Sequence, residues 1–81
     1  MAAVTEVLLV EDDPFQRRMV QEYLTLQGLS VTAVGDAAGF RRALEGGSPD
    51  LALLDVHLPD EDGLTLARWL RANGPGVGII M

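Results

Sequence analysis

Cysteine and lysine are both missing from this chain of 81 residues. Without cysteine there is no disulfide and no thiolate metal site, and the redox compartment leaves no trace in the sequence. Without lysine, all six basic residues are arginine. The phosphate-binding loop GxxxxGK[ST] is thereby excluded, even though LALLD at 51–55 has the look of the acid-ending strand that accompanies it. Long apolar runs are also lacking: no window approaches the ~18 consecutive apolar residues of a membrane span. The opening MAAVTE has no positive region of the kind that begins an export signal. The expectation is a cytoplasmic protein with no membrane contact.

Positive charge is scarce. Twelve acids face six bases, a formal charge of -6. Nucleic acid and anionic membrane both attract the opposite sign, so neither is an expected partner of this portion. A cation or a basic partner suits the balance better. The apolar content of 48% is enough for a core and argues against disorder. The length suits one small domain or part of one, and no internal repeat, low-complexity tract or linker divides it.

Two hydrophobic periods alternate along the chain. Val7 to Val10 is a continuous apolar run of strand length, as expected for a strand covered on both faces. Asp13 stands as an N-cap with Pro14 at the first helical position. Phe15, Met19, Val20, Tyr23 and Leu24 then form one apolar helical stripe, which Gly28 ends. Residues 30–34 read as a second strand. Asp36 caps a short helix with Phe40 and Leu44 inward and Gly46-Gly47 at its end, and 51–56 reads as a third strand. A third helix is predicted over 64–72 with Leu66, Ala67 and Leu70 inward, and residues 77–81 begin a fourth strand.

This β-α-β-α-β-α-β order implies a parallel α/β sheet with right-handed crossovers. Ligands of such sheets sit beyond the carboxyl ends of the strands, where the winding reverses. With the second and third strands on opposite sides of the first, that crevice receives Glu11, Asp12 and Asp13 from one strand and Asp55 from another. Adjacent carboxylates repel, so they either face water or hold a cation. Mg²⁺ takes oxygen ligands and needs only one or two carboxylates, which fits Asp12 with Asp55. Asp13 reads as a helix cap. The lone His57 reads as a loop residue, Trp69 as partial packing, and Arg17-Arg18 and Arg41-Arg42 as solvated helix faces.

The segments LLVEDDPFQRR and LLDVHLPDEDGL, in that order, resemble the receiver domain of two-component response regulators. The resemblance implies a flavodoxin-like doubly wound sheet, here with strand order 2-1-3-4. It implies Asp55 as phosphoacceptor, Asp12 as direct Mg²⁺ ligand, Glu11 as ligand through water, and the His57 backbone carbonyl as a further ligand, with Mn²⁺ able to replace Mg²⁺. Pro59 and Gly63 would shape the loop that follows. The donor would be a histidine kinase or a phosphotransfer protein, and no external substrate would be turned over. A full receiver also carries two further helices and a fifth strand, with a switch Ser or Thr and a lysine on the phosphoryl oxygens. On that comparison residues 1–81 are an N-terminal portion without α4, β5 and α5, and neither switch residue falls in the chain.

Two consequences are expected of such a portion. Signalling output should be lost while the metal and acceptor half survives. The fourth strand should present an open edge, and one sheet face should keep a single helix, favouring self-association. The alternative to a phosphoacceptor is then a scaffold fragment that assembles with itself and keeps its acids as a vestige.

Overall fold

The structure is a computed structural model that describes residues 4–81. Its elements are β1 (Glu6–Val10), α1 (Pro14–Leu26), β2 (Ser30–Val34), α2 (Ala37–Glu45), β3 (Leu51–Leu54), α3 (Gly63–Asn73) and β4 (Gly78–Ile80). The strands form one parallel sheet in the order β2-β1-β3-β4. That order places the reversal of winding between β1 and β3, as the sequence implied.

Successive residues of a strand point to opposite faces, and this alternation divides β1. Leu8 and Val10 join Ala52 and Leu54 of β3 beneath α2 and α3, where Phe40, Leu66 and Leu70 are fully buried beside Ala37 and Val77. Val7 and Leu9 face the other way and are also buried. Every residue of β1 from Val7 to Val10 is thus covered, which is why the strand is an unbroken apolar run rather than an alternation.

Each helix is started by an aspartate. The Asp13 carboxylate accepts from the Phe15 and Gln16 N–H groups at 2.8 and 3.1 Å. Asp36 accepts from Gly39 at 2.7 Å and Asp62 from Leu64 at 3.0 Å. Each satisfies a donor that the helix itself leaves free. The left-handed turn after α1 falls to Gly28, with φ 89°.

One expectation needs correction. The third strand ends at Leu54 rather than 56. Asp55 keeps one sheet bond, its N–H to the Val10 carbonyl at 3.1 Å. The His57 N–H then turns back onto Asp55 Oδ1 at 3.2 Å, and a short antiparallel bridge between His57 and Asp62 closes the neck of the loop. The chain therefore folds into that loop where the ladder would have continued. The apolar stripe of α1 lies largely open. The helix holds no buried residue, with Phe15 69% and Tyr23 62% exposed and Met19 and Val20 exposed beside them. One helix is too narrow to cover its sheet face, and of the stripe only Leu24 is half-buried.

Candidate functional site

The β1–α1 and β3–α3 connections meet at the carboxyl edge of the sheet. Two backbone bonds fix where they leave it: Glu11 N–H donates to the Val34 carbonyl and Asp55 N–H to the Val10 carbonyl, both at 3.1 Å. The sheet thereby sets the spacing of the acids. Glu11, Asp12 and Asp55 each present a carboxylate oxygen, and these oxygens lie within 4.8 Å of one another. Asp12 is exposed, whereas Glu11 and Asp55 are partly covered.

Asp13 stands apart from this cluster. Its carboxylate is occupied by the α1 cap, and its N–H donates to Glu11 Oε2 at 3.2 Å. Of the four acids expected at the crevice, Glu11, Asp12 and Asp55 thus converge and Asp13 serves as the helix cap it was read to be. Burial pushes the Glu11 carboxyl above its ordinary value, opposed by the Asp13 N–H and reinforced by the nearby Asp55 and Asp12 carboxylates. Like charges held this close on a fixed frame favour either a proton or a cation. The donor set is all carboxylate oxygen, which matches a hard divalent ion such as Mg²⁺.

The neighbouring residues hold the frame. Arg17 is not a free solvated cation: its Nη1 donates to the Glu11 carbonyl at 2.9 Å and reaches the Asp12 carbonyl at 3.5 Å, tying α1 to the loop that carries the acids. Gly63 N–H donates to the Val56 carbonyl at 2.9 Å, so the start of α3 lies directly against the backbone that follows Asp55. His57 and Pro59 are exposed in the loop between them.

The far side of that loop carries contacts the sequence reading missed. The Asp60 carboxylate accepts from Ala37 and Ala38 at the start of α2, at 3.0 and 3.1 Å. Glu61 pairs with Arg41 through two bonds of 2.5 and 2.8 Å, and the Arg41 guanidinium lies 4.9 Å from the centre of the Trp69 ring. Asp60 and Glu61 are both held below their ordinary values, Asp60 first by the Ala37 N–H and Glu61 first by Arg41. Arg41 and Glu61 stand 20 positions apart, and no local pattern marks such a pair. The acidic run DED beside two arginines elsewhere was the only available signal.

A family model described as the response regulator receiver domain matches residues 7–81. The transcriptional regulator TorR of the TorCAD operon in Escherichia coli is 43% identical over 75 residues, which cover 93% of this chain and 32% of that protein. GltR, a transcriptional regulatory protein of Pseudomonas aeruginosa, is 46% identical over 67 residues, 83% of this chain and 28% of that one. The chain therefore spans about a third of the length of these curated relatives.

Among solved structures, the response regulator TrrA of Thermotoga maritima, in complex with Mg²⁺-BeF, superposes with a TM-score of 0.90 at 26% identity. The match covers 96% of this chain and 68% of TrrA. TrrA in complex with the histidine kinase ThkA matches with a TM-score of 0.87 at 25% identity, over 94% of this chain and 66% of that one. This chain belongs to the response regulator receiver domain family, with the CheY-like, flavodoxin-like sheet its fold displays. No helix among the described residues is long and apolar enough to cross a membrane.

Proposed function

We propose that these residues form the phosphoacceptor half of a two-component receiver, with Asp55 taking a phosphoryl group in a Mg²⁺-dependent reaction. The observation that carries the reading is the convergence of Glu11, Asp12 and Asp55 at the reversal point of the sheet, with their oxygens within 4.8 Å. Mg²⁺ bound there would supply positive charge against which a carboxylate and an incoming phosphoryl group could approach. Asp12 and Asp55 would hold it directly, Glu11 would act through water, and the His57 backbone carbonyl would complete the protein's share. Mn²⁺, with similar oxygen preference, would serve in the same place.

Phosphoryl transfer asks the protein mainly for alignment and charge neutralisation. The His57 N–H holds Asp55 Oδ1, which leaves Oδ2 as the attacking atom. Oδ2 bonds to phosphorus as the phosphorus–nitrogen bond of the donor's phosphohistidine breaks, and the departing imidazole keeps the electron pair. The ThkA–TrrA complex supports a histidine kinase as donor, and a phosphotransfer protein carries the same chemistry. The phosphoryl group ends on the protein's own aspartate, so the role is acceptor rather than enzyme acting on an external substrate. A cytoplasmic location follows from such a partner.

Lysine is absent from the 81 residues. The phosphoryl oxygens on Asp55 would meet no ammonium group from them, and these residues alone would accept phosphate without the switch that reads it. The test is incubation with acetyl phosphate or phosphoramidate and Mg²⁺, followed by intact mass, with Asp55→Asn as control. A Mg²⁺-dependent gain of one phosphoryl group, lost in the variant, is the expected result. A folded protein that gains nothing overturns the reading.

A second reading, self-association, has its own observation. Phe15, Met19, Val20 and Tyr23 are exposed along α1, Ile80 and Met81 are exposed beside the same face, and β4 pairs on one side only. A second copy laid against α1 or added to the β4 edge would cover them. Sedimentation over a range of concentrations tests this; a well-folded monomer at high concentration excludes it.

A further inference from the structure

The loop carrying Asp55 does more for α2 than touch it. An α-helix begins with N–H groups that have no partner in its own backbone ladder, and in α2 those of its first three residues, Ala37, Ala38 and Gly39, are all capped by carboxylates. Phe40 N–H makes the first helical bond, to the Asp36 carbonyl at 3.1 Å, and Gly39 N–H donates to Asp36 Oδ1 at 2.7 Å. The remaining two, Ala37 and Ala38, are satisfied only by Asp60 Oδ1 and Oδ2. Two of these three capping bonds of α2 therefore come from the β3–α3 loop. One helical turn along the same face, Arg41 takes Glu61 of that loop in a two-bond pair and rests against Trp69 of α3.

We infer that Asp60 is a positioning residue for the acceptor loop, and that through it the start of α2 and the cation site at Glu11, Asp12 and Asp55 are thermodynamically coupled. The inference deepens the proposed function and rests on its cation site. The loop is pinned at one end by the Asp55 sheet bond and at its neck by the His57–Asp62 bridge. Its tip, Asp60 and Glu61, is held by α2. At nine residues α2 is too short to persist by itself, so whatever fixes Asp60 steadies its first turn. A cation that orders Asp55 and His57 narrows the positions open to Asp60, five residues beyond the acceptor. Coupling between two sites is reciprocal: the cation protects the α2 start, and the α2 start strengthens cation binding.

The experiment is amide hydrogen exchange at Ala37 and Ala38, read by NMR with and without saturating Mg²⁺, alongside Mg²⁺ titrations of the wild type, Asp60→Ala, Asp60→Asn and Leu44→Ala. Mg²⁺ is expected to slow exchange at Ala37 and Ala38 in the wild type and to leave it unchanged in Asp60→Ala. Losing the outer support of a metal site typically weakens affinity by about tenfold or more, and that is the loss expected for Asp60→Ala. Asp60→Asn, which retains one acceptor oxygen, should fall between. Leu44→Ala loosens α2 from its far half, where Leu44 packs on the core, and should bind Mg²⁺ as the wild type does. A purely structural role for Asp60 predicts that Asp60→Ala, like Leu44→Ala, changes stability and not affinity; that pattern overturns the inference. If Asp60→Ala does not fold, the wild-type exchange decides alone: Mg²⁺ binding without added protection at Ala37 and Ala38 overturns the coupling. A wild type that binds no Mg²⁺ removes the cation site itself, and the inference with it.

Discussion

Gly63 lies against the carbonyl of Asp55 so closely that a β-carbon at 63 would sit inside the oxygen's van der Waals envelope and 2.9 Å from the Val56 Cα. The constraint is steric, since Gly63 is not among the glycines with positive φ. Its neighbours are backbone, which cannot swing aside as a flexible side chain can. Gly63→Ala must displace either the start of α3 or the residue that carries the acceptor. We expect a stability loss of about 1–3 kcal/mol, the usual range for an overpacked site. Denaturant melts should show it together with slower phosphorylation of Asp55.

The acidic cluster predicts a metal-dependent gain in stability. A ligand that binds only the folded state stabilises it by about 2.7 kcal/mol at a hundredfold excess over its dissociation constant. Mg²⁺ should therefore raise the melting temperature, and Asp12→Ala should abolish most of the rise. Asp13→Ala should behave differently. It loses a helix cap, typically about 1 kcal/mol, yet keeps a Mg²⁺-dependent shift because its carboxylate is committed to Phe15 and Gln16.

The two phenylalanines should respond in opposite ways. Phe40 is 0% exposed among Leu66, Leu70 and Ala52, and Phe40→Ala is expected to cost about 3–5 kcal/mol. Phe15, 69% exposed, should change stability by no more than about 0.5 kcal/mol on substitution with alanine. If the α1 face is a contact between copies, Phe15→Ala should instead reduce self-association in sedimentation.

How much of this was legible follows from the range of each signal. The Val7–Val10 run, the Asp13 and Asp36 caps and the paired motifs around Asp12 and Asp55 are local patterns; the motifs place the acidic cluster and carry the family resemblance that implies the strand order, whereas the Asp62 cap went unread. The exposure of the α1 stripe could not be read from periodicity alone, which shows that a helix has an apolar side and not whether anything covers it. Arg17 and Arg41 misled for a related reason. An arginine on a helix looks solvated until the fold places a carbonyl or carboxylate within reach, as it does with Glu11 and Glu61. The end of β3 was missed by two residues because an Asx-type turn at Asp55 competes with the ladder there.

Titration of the loop acids and of Glu11 should act on stability with opposite signs. Asp60 and Glu61 are depressed in the fold, so the folded protein holds their protons less tightly than the unfolded chain does. Their contribution is fully present above the ordinary carboxylate range and is lost as pH falls through the lowered folded values. Glu11 is raised, chiefly by burial. The folded state holds its proton more tightly, so stability declines as pH rises from the ordinary carboxylate value through the raised one. Without metal, Glu11→Gln should therefore be more stable than the wild type at neutral pH, with the gap closing in mild acid. The double variant Asp60→Asn with Glu61→Gln should be less stable at neutral pH, with its deficit shrinking only in stronger acid. Urea midpoints taken from neutral pH into acid separate the two. A Glu11→Gln variant no more stable than wild type at neutral pH would mean that the carboxylates do not strain the apo fold. Mg²⁺ binding would then gain nothing from relieving their repulsion.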